Sequence, residues 1–482
     1  MAERKVMVGQ RVRRLRQERG LTQTQMADQL GISASYLNLI ERNQRPVTVQ
    51  FLLRLGQAFD IDLVQFAGDD EGRVAAQLRE VFADPLFARA GISPQDVEDM
   101  AGASPAGGEA VFTLYKAYRE FADGAALGMA TPPGGDGDGA EDPSGRAPVA
   151  GGASPQDAVL DHLQARDNYL PEFEDFATEL GETIEISGDA PYSALAAALE
   201  ERHGVRARVL PVDVMEETLR RYDRHGRRVL LSEALGAEDR ALQLAHQFAL
   251  LEWPDAINDA VERADLKGAA ANRLLKVAIA EYAGAALLMP YLRFQQAATE
   301  TRHDIALLAR RFGVSIEQVC LRFATLQRAG AKGVPLFLLQ VDAAGSLLRR
   351  FSANGFHPPR FGGLCPRWDA FGAAGGPGDM AARRLSMPDG SRFVSFSVRT
   401  PRPGRGAEGP AVVTVIGCET GHATRFVAAD PLRLDGDAGV IPVGLNCRLC
   451  ERVECGHRAA PPRNRRLIVD ENYFGHAPYF FT

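Results

Sequence analysis

Four of the six cysteines lie within the last 65 residues of this 482-residue chain. Three of them form a Cys-x2-Cys-x4-Cys array, which brings three thiolates within reach of one centre: Cys447, Cys450 and Cys455. The candidates for a fourth ligand are Cys365, Cys418 and His457. Sites built from thiolates suit zinc or an iron-sulfur cluster, and the spacing does not separate the two. We predict such a centre, with reduced structural thiols as the alternative.

The rest of the composition places this cysteine cluster in a reducing compartment. Six cysteines in so long a chain do not form a secreted disulfide framework. The N-terminus is too polar for a signal peptide, and the most apolar run, 283–292, is too short to cross a bilayer. We therefore expect a cytoplasmic protein that has no membrane partner.

A second candidate for chemistry is the apolar helix predicted over 240–252. His246 stands where a zinc peptidase begins its His-Glu-x-x-His motif, in which two histidines one turn apart hold the metal and the glutamate activates water. Here Gln247 replaces the glutamate and Leu250 replaces the second histidine. Since glutamine is no base and leucine no ligand, we predict that the chain is not an enzyme and that His246 is an ordinary core or surface histidine.

A third pattern, LTQTQMADQLGISASYLNLIER, reads as a helix-turn-helix. A capping box at Thr22–Gln25 predicts a helix over 23–30. Gly31 then allows the positive φ of a tight turn, and Ser33 caps a second helix that runs from 34 to about 42. An ordinary helical hairpin is the alternative.

The second of these helices would enter the major groove of duplex DNA. The residues at its start and on its outer face are Ser33, Ala34, Ser35, Tyr36 and Asn38. Further contacts to the DNA backbone are predicted for Gln23, Arg42, Asn43 and Arg45. Residues 1–60 hold ten basic and five acidic side chains, a net charge of +5, whereas the whole chain carries −7 and the remainder therefore −12. Only the N-terminal region is built to approach a polyanion.

With flanking helices predicted over 8–19 and 49–59, residues 8–66 resemble the XRE family of phage-repressor-type DNA-binding domains. That family implies a small all-helical fold. We place this domain at 1–68 and a helical connector, with a possible dimer surface, at 73–128. The stretch 129–155 holds seven glycines and five prolines, and we predict a disordered linker there.

The remaining chain divides into a mainly helical part, 156–330, and a strand-rich part, 331–482. A short strand pair is expected near 205–210 and 228–231, and a hairpin joins 335–341 to 346–351 through DAAG. Further strands fit 392–399 and 411–417. The predicted fold is thus multidomain and mainly α: an all-α helix-turn-helix head, a helical middle and an α+β C-terminal domain.

Two stretches of the middle part, AEYAGAALLMPY and LARRFGVSIEQV, resemble the ImmA/IrrE metallopeptidase fold, here in degenerate form. The second stretch could also pass for another helix-turn-helix, although no basic flank follows it. With GFHPPRFGGLCPRW and CRLCERVECGHRA, nearly the whole chain resembles the short-chain fatty acyl-CoA regulator family. This resemblance implies a bacterial transcription factor that binds double-stranded DNA and senses a short-chain acyl-CoA.

An acyl-CoA needs cations for its phosphates and an apolar pocket for its acyl group. The expected pocket groups Arg349, Arg350, Arg360 and Arg367 with Phe351, Phe356 and Trp368. We also expect a homodimer. The competing hypotheses are a regulator that senses redox state through an iron-sulfur cluster, and a zinc peptidase of the ImmA/IrrE type.

Overall fold

The structure is a computed structural model of the full chain. It describes residues 12–126 and 154–481 apart from gaps, of which those of three or more residues are 42–44, 60–69, 187–189, 359–362, 369–379 and 403–410. Arg42, Asn43, Arg360 and the predicted linker up to residue 153 lie outside the described residues. The chain forms two compact units, Met1–Arg119 and Glu120–Thr482, called unit 1 and unit 2 below.

Unit 1 opens with the three helices expected from the sequence: α1 Gln23–Leu30, α2 Ala34–Glu41 and α3 Val49–Phe59. Thr22 and Gln25 form the predicted capping box, and Gly31 ends α1 with a φ of 63°. The apolar faces share one core, which includes Met26, Leu37 and Leu55. The predicted helix-turn-helix fold is confirmed.

Three further helices follow, α4 Asp70–Phe82, α5 Pro94–Ala103 and α6 Pro105–Ala126, and the last of them runs beyond Arg119, the end of unit 1. Val74 and Leu78 of α4 are buried against Val97 of α5. Gly108 lets α6 approach α4 closely, because an added Cβ would lie 2.4 Å from Cγ1 of Val74.

Unit 2 begins with a helical body that surrounds α13, ten of whose 20 residues are buried. Its helices are α7 Pro155–Ala165, α8 Pro171–Thr183, α9 Pro191–His203, α10 Val212–Met215, α11 Ala237–Glu252, α12 Pro254–Ala264, α13 Ala269–Leu288, α14 Tyr291–Glu300, α15 Ile305–Phe312 and α16 Ile316–Phe323. A Cβ on Gly284 of α13 would lie 2.8 Å from the backbone nitrogen of His246. This close approach presses α13 against α11.

A buried ion pair fixes α16 against α8. Arg322 donates to both carboxylate oxygens of Glu174 at 2.6 and 2.8 Å, and neither side chain is exposed. Tyr282 donates a third hydrogen bond to Glu174, at 2.6 Å. Although burial opposes the charged form, the charge and hydrogen bonds of Glu174, together with Tyr282, outweigh it and hold the pKa of Arg322 above its usual range.

A small three-stranded sheet covers one side of the helical body. Its strands are β1 Arg206–Leu210, β2 Arg220–Asp223 and β3 Arg228–Ser232, in the order β1-β3-β2. β1 runs parallel to β3 and β2 runs antiparallel to it. The sequence predicted β1 and β3 but not β2.

A six-stranded sheet, in the order β5-β4-β8-β7-β6-β9, organises the C-terminal part. Its strands are β4 Leu336–Asp342, β5 Leu347–Ser352, β6 Met380–Ser386, β7 Arg392–Pro401, β8 Ala411–Glu419 and β9 Val440–Pro442, and a ribbon of β10 Leu467–Ile468 with β11 Phe480–Phe481 follows. Alternate residues face opposite ways, so Leu338 belongs to the core of the helical body while Phe337 belongs to a second core on the far face. The predicted β4–β5 hairpin and the strands β7 and β8 are confirmed.

The helices of the described residues were compared with the length and apolarity that a membrane-spanning helix needs. Among them, no single helix is long and apolar enough to cross a bilayer. Only α13 and α14 taken together reach that length and composition, and they meet at a bend of 60°.

Candidate functional site

The buried carboxylate of Glu41 holds the two helices of the head together. Arg16 donates to it through Nε at 2.7 Å and through Nη2 at 3.1 Å. Gln23, at the start of α1, donates to the same carboxylate at 2.7 Å and lies 3.5 Å from Oδ1 of Asn38. The hydrogen bond from Arg16 to Glu41 raises the pKa of Arg16. This network therefore connects α1 to α2. Sequence reasoning missed Glu41, although an acidic residue at the end of α2 in a basic region could have indicated a buried ion pair.

The predicted DNA-contacting residues that the structure describes are accessible. Ser33 caps α2 by accepting from the backbone nitrogen of Tyr36 at 3.1 Å. Ser35 and Arg45 are exposed, and Asn38 is half-buried. Ser35 and Asn38, three residues apart, lie on one side of α2, as a groove-reading helix requires. Their role in base recognition stays a prediction.

In the peptidase-like helix α11, an arginine contacts the histidine that would bind zinc. Nη2 of Arg220 lies 3.3 Å from Nε2 of His246, while Nη1 donates to the carbonyl of Gln243 at 3.2 Å. His246 is 2% exposed. Burial, and then the charge of Arg220, lower the pKa of His246 to about 4. The ring is therefore neutral near pH 7 and accepts the hydrogen bond at the nitrogen that would carry a metal.

Glu281 of α13 completes the charge balance of this site. It accepts a hydrogen bond from Arg349 of β5 at 2.8 Å, and its charge also faces Arg220 and His246. Burial acts to raise the pKa of Glu281, but the charge and hydrogen bond of Arg349, together with His246 and Arg220, outweigh it and hold that pKa below the usual range. The guanidinium of Arg220 thus lies at the ring nitrogen where a metal would bind, and among the described residues no three His, Cys, Asp or Glu side chains around His246 are grouped so that they could hold one.

The structure brings some of the predicted metal ligands together and separates one. Cys365 lies close enough to Cys447 and Cys450 for their charges to raise its pKa, after the larger effect of burial. Cys418 instead belongs to the core on the helix-facing side of β8, whereas Cys365 belongs to the core on the opposite face. Cys455 is buried. Across the described residues, no three His, Cys, Asp or Glu side chains are placed so that they could hold a metal ion.

The loop that carries the three clustered cysteines is held by Arg458, which sequence reasoning missed. Its guanidinium donates to the carbonyls of Cys447, Cys450 and Arg452 at 3.0, 3.1 and 2.6 Å. The same group lies 4.6 Å from the ring centre of Phe481 in β11. One buried cation therefore fixes the cysteine loop against the C-terminal strand.

The grouping of arginines expected to form an acyl-CoA pocket was wrong. Arg349 is bound to Glu281, and Arg350 is bound to Asp157 and Asp161 of α7 at 2.8 and 3.2 Å. Phe351 and Phe356 lie in cores on opposite faces of the sheet. Arg349 and Arg350 therefore neutralise acids within unit 2, and Phe351 is separated from Phe356 and Trp368, whose ring centres lie 5.5 Å apart.

Three parts of the chain match known protein families. Residues 12–66 match the helix-turn-helix family, residues 200–324 the IrrE N-terminal-like domain, and residues 325–479 the short-chain fatty acyl coenzyme A regulator, C-terminal, family. The propionyl-CoA carboxylase regulator of Cereibacter sphaeroides is 35% identical over 481 residues, which are 98% of each chain. This chain belongs to the short-chain fatty acyl-CoA regulator family.

Two Mycobacterium tuberculosis regulators agree with this assignment. RamB is 35% identical over 479 residues, 98% of each chain, and PrpR is 32% identical over 483 residues, 98% of this chain and 96% of that one. A solved M. tuberculosis transcriptional regulator superposes with a TM-score of 0.63 at 32% identity and covers 68% of this chain and 99% of its own. Regulators of this family are DNA-binding proteins, and here the IrrE-like domain is a degenerate, non-enzymatic one, in which Gln247 and Leu250 replace the base and the second metal ligand.

Proposed function

We propose that this regulator binds operator DNA through α1 and α2 and that a short-chain acyl-CoA, bound by unit 2, changes that binding. The observation that carries the DNA-binding half of the proposal is the capped helix pair α1 and α2, and the guanidinium of Arg220 at Nε2 of His246 argues against peptidase chemistry in unit 2. The acyl-CoA class is supported by residues 325–479, which match the acyl coenzyme A regulator family. The name of the Cereibacter relative favours propionyl-CoA as the first effector to test. The protein would act in the cytoplasm, where it meets the chromosome.

The effector must act through a difference in affinity. A ligand shifts DNA binding only if it binds the DNA-competent and DNA-incompetent forms of the protein unequally. A tenfold change in DNA affinity corresponds to about 1.4 kcal/mol of coupling, which is within the ordinary range for such regulators.

Calorimetric titration of the full chain tests the effector. We expect propionyl-CoA to bind with one site per chain, and free coenzyme A and palmitoyl-CoA to bind more weakly, because a sensor selective for short acyl groups would lose the acyl contacts of the first and exclude the long chain of the second. Equal affinity for all three ligands would contradict an acyl-selective sensor. If no thioester gave a measurable heat of binding, the proposed effector would be wrong.

We also propose that the regulator is a homodimer that pairs through α6. Leu114 and Tyr118, four residues apart on this helix, are 72% and 41% exposed, which is unusual for apolar side chains on one helical stripe. A two-fold dimer would match the repeated half-sites that helix-turn-helix proteins bind. Sedimentation of Leu114→Glu should show a monomer, while Thr113→Glu, an exposed neighbour, should sediment as the unaltered chain. A dimer that persists in Leu114→Glu would contradict the interface.

The predicted metal centre stays a prediction, and the second candidate function, redox sensing, depends on it. What supports it is the proximity of Cys365, Cys447 and Cys450 in a loop fixed by Arg458. As placed, these donors do not form a metal-holding set, so no step of the proposed mechanism depends on zinc or iron. Purification without oxygen, with metal analysis and a visible spectrum, decides: a brown protein that turns colourless in Cys447→Ser but not in Cys320→Ser would support a cluster.

A further inference from the structure

We propose that the outer face of the small sheet in unit 2 binds the sugar-phosphate backbone of duplex DNA, as a second, sequence-independent contact besides the head. The face is formed by β1, β3 and β2 and is rich in exposed arginines. The family assignment does not assign a partner to this surface.

The strand register defines the two faces of this sheet. Val229 and Leu231 of β3 are fully buried against the helical body, and Tyr222 of β2 packs on the same core. The alternate residues face outward. Across the strands these form two rows: Arg206–Arg228–Asp223 and Arg208–Leu230–Arg221. Four arginines therefore stand on the outward face of three short strands.

Two of the four outward arginines are neutralised and two are not. Arg206 pairs with Glu200 at 2.8 Å, and Arg228 pairs with Asp223 at 3.0 Å. Arg208 and Arg221 are exposed, and neither has an ion-pair partner within the part of the chain that the structure describes. They flank Leu230, one strand away on each side, so their Cβ atoms stand about 10 Å apart. The guanidinium groups of both arginines are therefore free to contact an anionic surface.

The turn between β2 and β3 adds a third exposed cation on a rigid support. Asp223 accepts from the backbone nitrogen of Gly226 at 2.9 Å and, with Arg228, closes the turn so tightly that a Cβ on Gly226 would lie 2.2 Å from the Asp223 carboxylate. Arg224 is exposed at the tip of this turn. Because the backbone of the turn is fixed before binding, only the side chain of Arg224 has to be ordered when it contacts an anion.

Charge complementarity favours DNA as the occupant. The chain beyond residue 60 carries a net charge of −12, so most of it is repelled by DNA. An exposed face with three guanidinium groups free of ion pairs to the described residues suits a regular row of phosphates, which arginine contacts through paired hydrogen bonds. The competing explanations are protection of the exposed edge strands β1 and β2 against aggregation, and binding of an acidic protein.

The salt dependence of DNA binding by the full chain tests the proposal. The assay measures affinity for a random duplex of about 60 base pairs over a range of KCl concentrations. The test variant is Arg208→Gln with Arg221→Gln, and the matched control is Arg273→Gln with Arg310→Gln, two exposed arginines on α13 and α15. Each lost phosphate contact lowers the slope of log affinity against log salt by about 0.9, so we expect a loss of about 2 in the test variant and none in the control.

Equal slopes for the test variant, the control and the unaltered chain would overturn the proposal. An unchanged slope accompanied by aggregation would assign the arginines to edge protection, and an unchanged slope with loss of binding to polyglutamate would assign them to an acidic peptide. Should the double variant fail to fold by circular dichroism, Arg224→Gln decides alone, with an expected loss of about 1 in the slope. The assay contains no acyl-CoA, so its outcome is independent of the proposed effector.

Discussion

Arg220 donates a hydrogen bond to His246 across 3.3 Å, at the ring nitrogen that a zinc peptidase would give to its metal. The two residues lie on β2 and α11, so the contact also ties the small sheet to the helical body. A cation beside the ring and burial around it both favour the neutral imidazole. The fold therefore retains the histidine of a zinc peptidase, and this histidine makes a structural hydrogen bond with Arg220.

The first prediction concerns the pH dependence of stability. His246 and His303 both have a pKa of about 4 in the folded chain, chiefly because of burial, against 6.5 when unfolded. Below pH 6.5 the unfolded chain binds more protons, so stability is lost as the pH falls from 6.5 towards 4. At pH 5 the loss is at most about 2 kcal/mol for each histidine. Urea unfolding at pH 7.5 and pH 5 measures it, and His246→Gln should reduce the difference, whereas the exposed His225→Gln should not.

The second prediction concerns zinc. Gln247→Glu with Leu250→His restores the His-Glu-x-x-His spacing on α11, but we expect this double variant to bind no zinc while Arg220 contacts His246. Adding Arg220→Ala frees the ring nitrogen, and we expect about one zinc per chain by metal analysis. Stoichiometric zinc in the double variant, with Arg220 intact, would contradict the account of the closed site.

The helix α1 could be predicted from the sequence, whereas the surroundings of His246 in the peptidase-like site could be predicted only in part. Thr22, Gln25 and Gly31 are local signals, and the structure has both helices at the predicted residues. The absence of a base at Gln247 was equally visible. The partner of His246 was not, because Arg220 lies 26 positions earlier on a strand that carries no strong pattern. Likewise the pairing of Arg350 with acids of α7 spans 193 positions, which no local pattern encodes.

The third prediction concerns the buried pair of Arg322 and Glu174. Replacing Arg322 by Leu strands a buried carboxylate, and we expect a loss of about 3 to 5 kcal/mol in the free energy of unfolding of unit 2. Replacing both residues by Leu should be less harmful than replacing one. The control is Arg302→Leu, whose pair with Asp430 is half exposed and should therefore cost far less than the loss of Arg322. Urea denaturation measures all three, and equal losses for Arg322→Leu and Arg302→Leu would be inconsistent with a desolvated pair.

The fourth prediction separates base reading from backbone contact in the head. Arg45→Ala should weaken binding to operator and random DNA alike, since phosphate contacts carry no sequence information. Asn38→Ala should reduce the preference for particular base pairs, with a discrimination loss of about 1 to 3 kcal/mol. Competition assays with operator and random duplexes measure both. Equal loss of specific and random binding in Asn38→Ala would show that α2 does not read bases through this residue.

The most direct test of the account is the affinity of the full chain for promoter fragments at moderate salt, measured with and without propionyl-CoA. We predict that the chain prefers at least one promoter over random DNA and that the thioester changes this affinity by at least about threefold, while free coenzyme A does not. A chain that shows no preference for any promoter fragment, with or without short-chain coenzyme A thioesters, would contradict it.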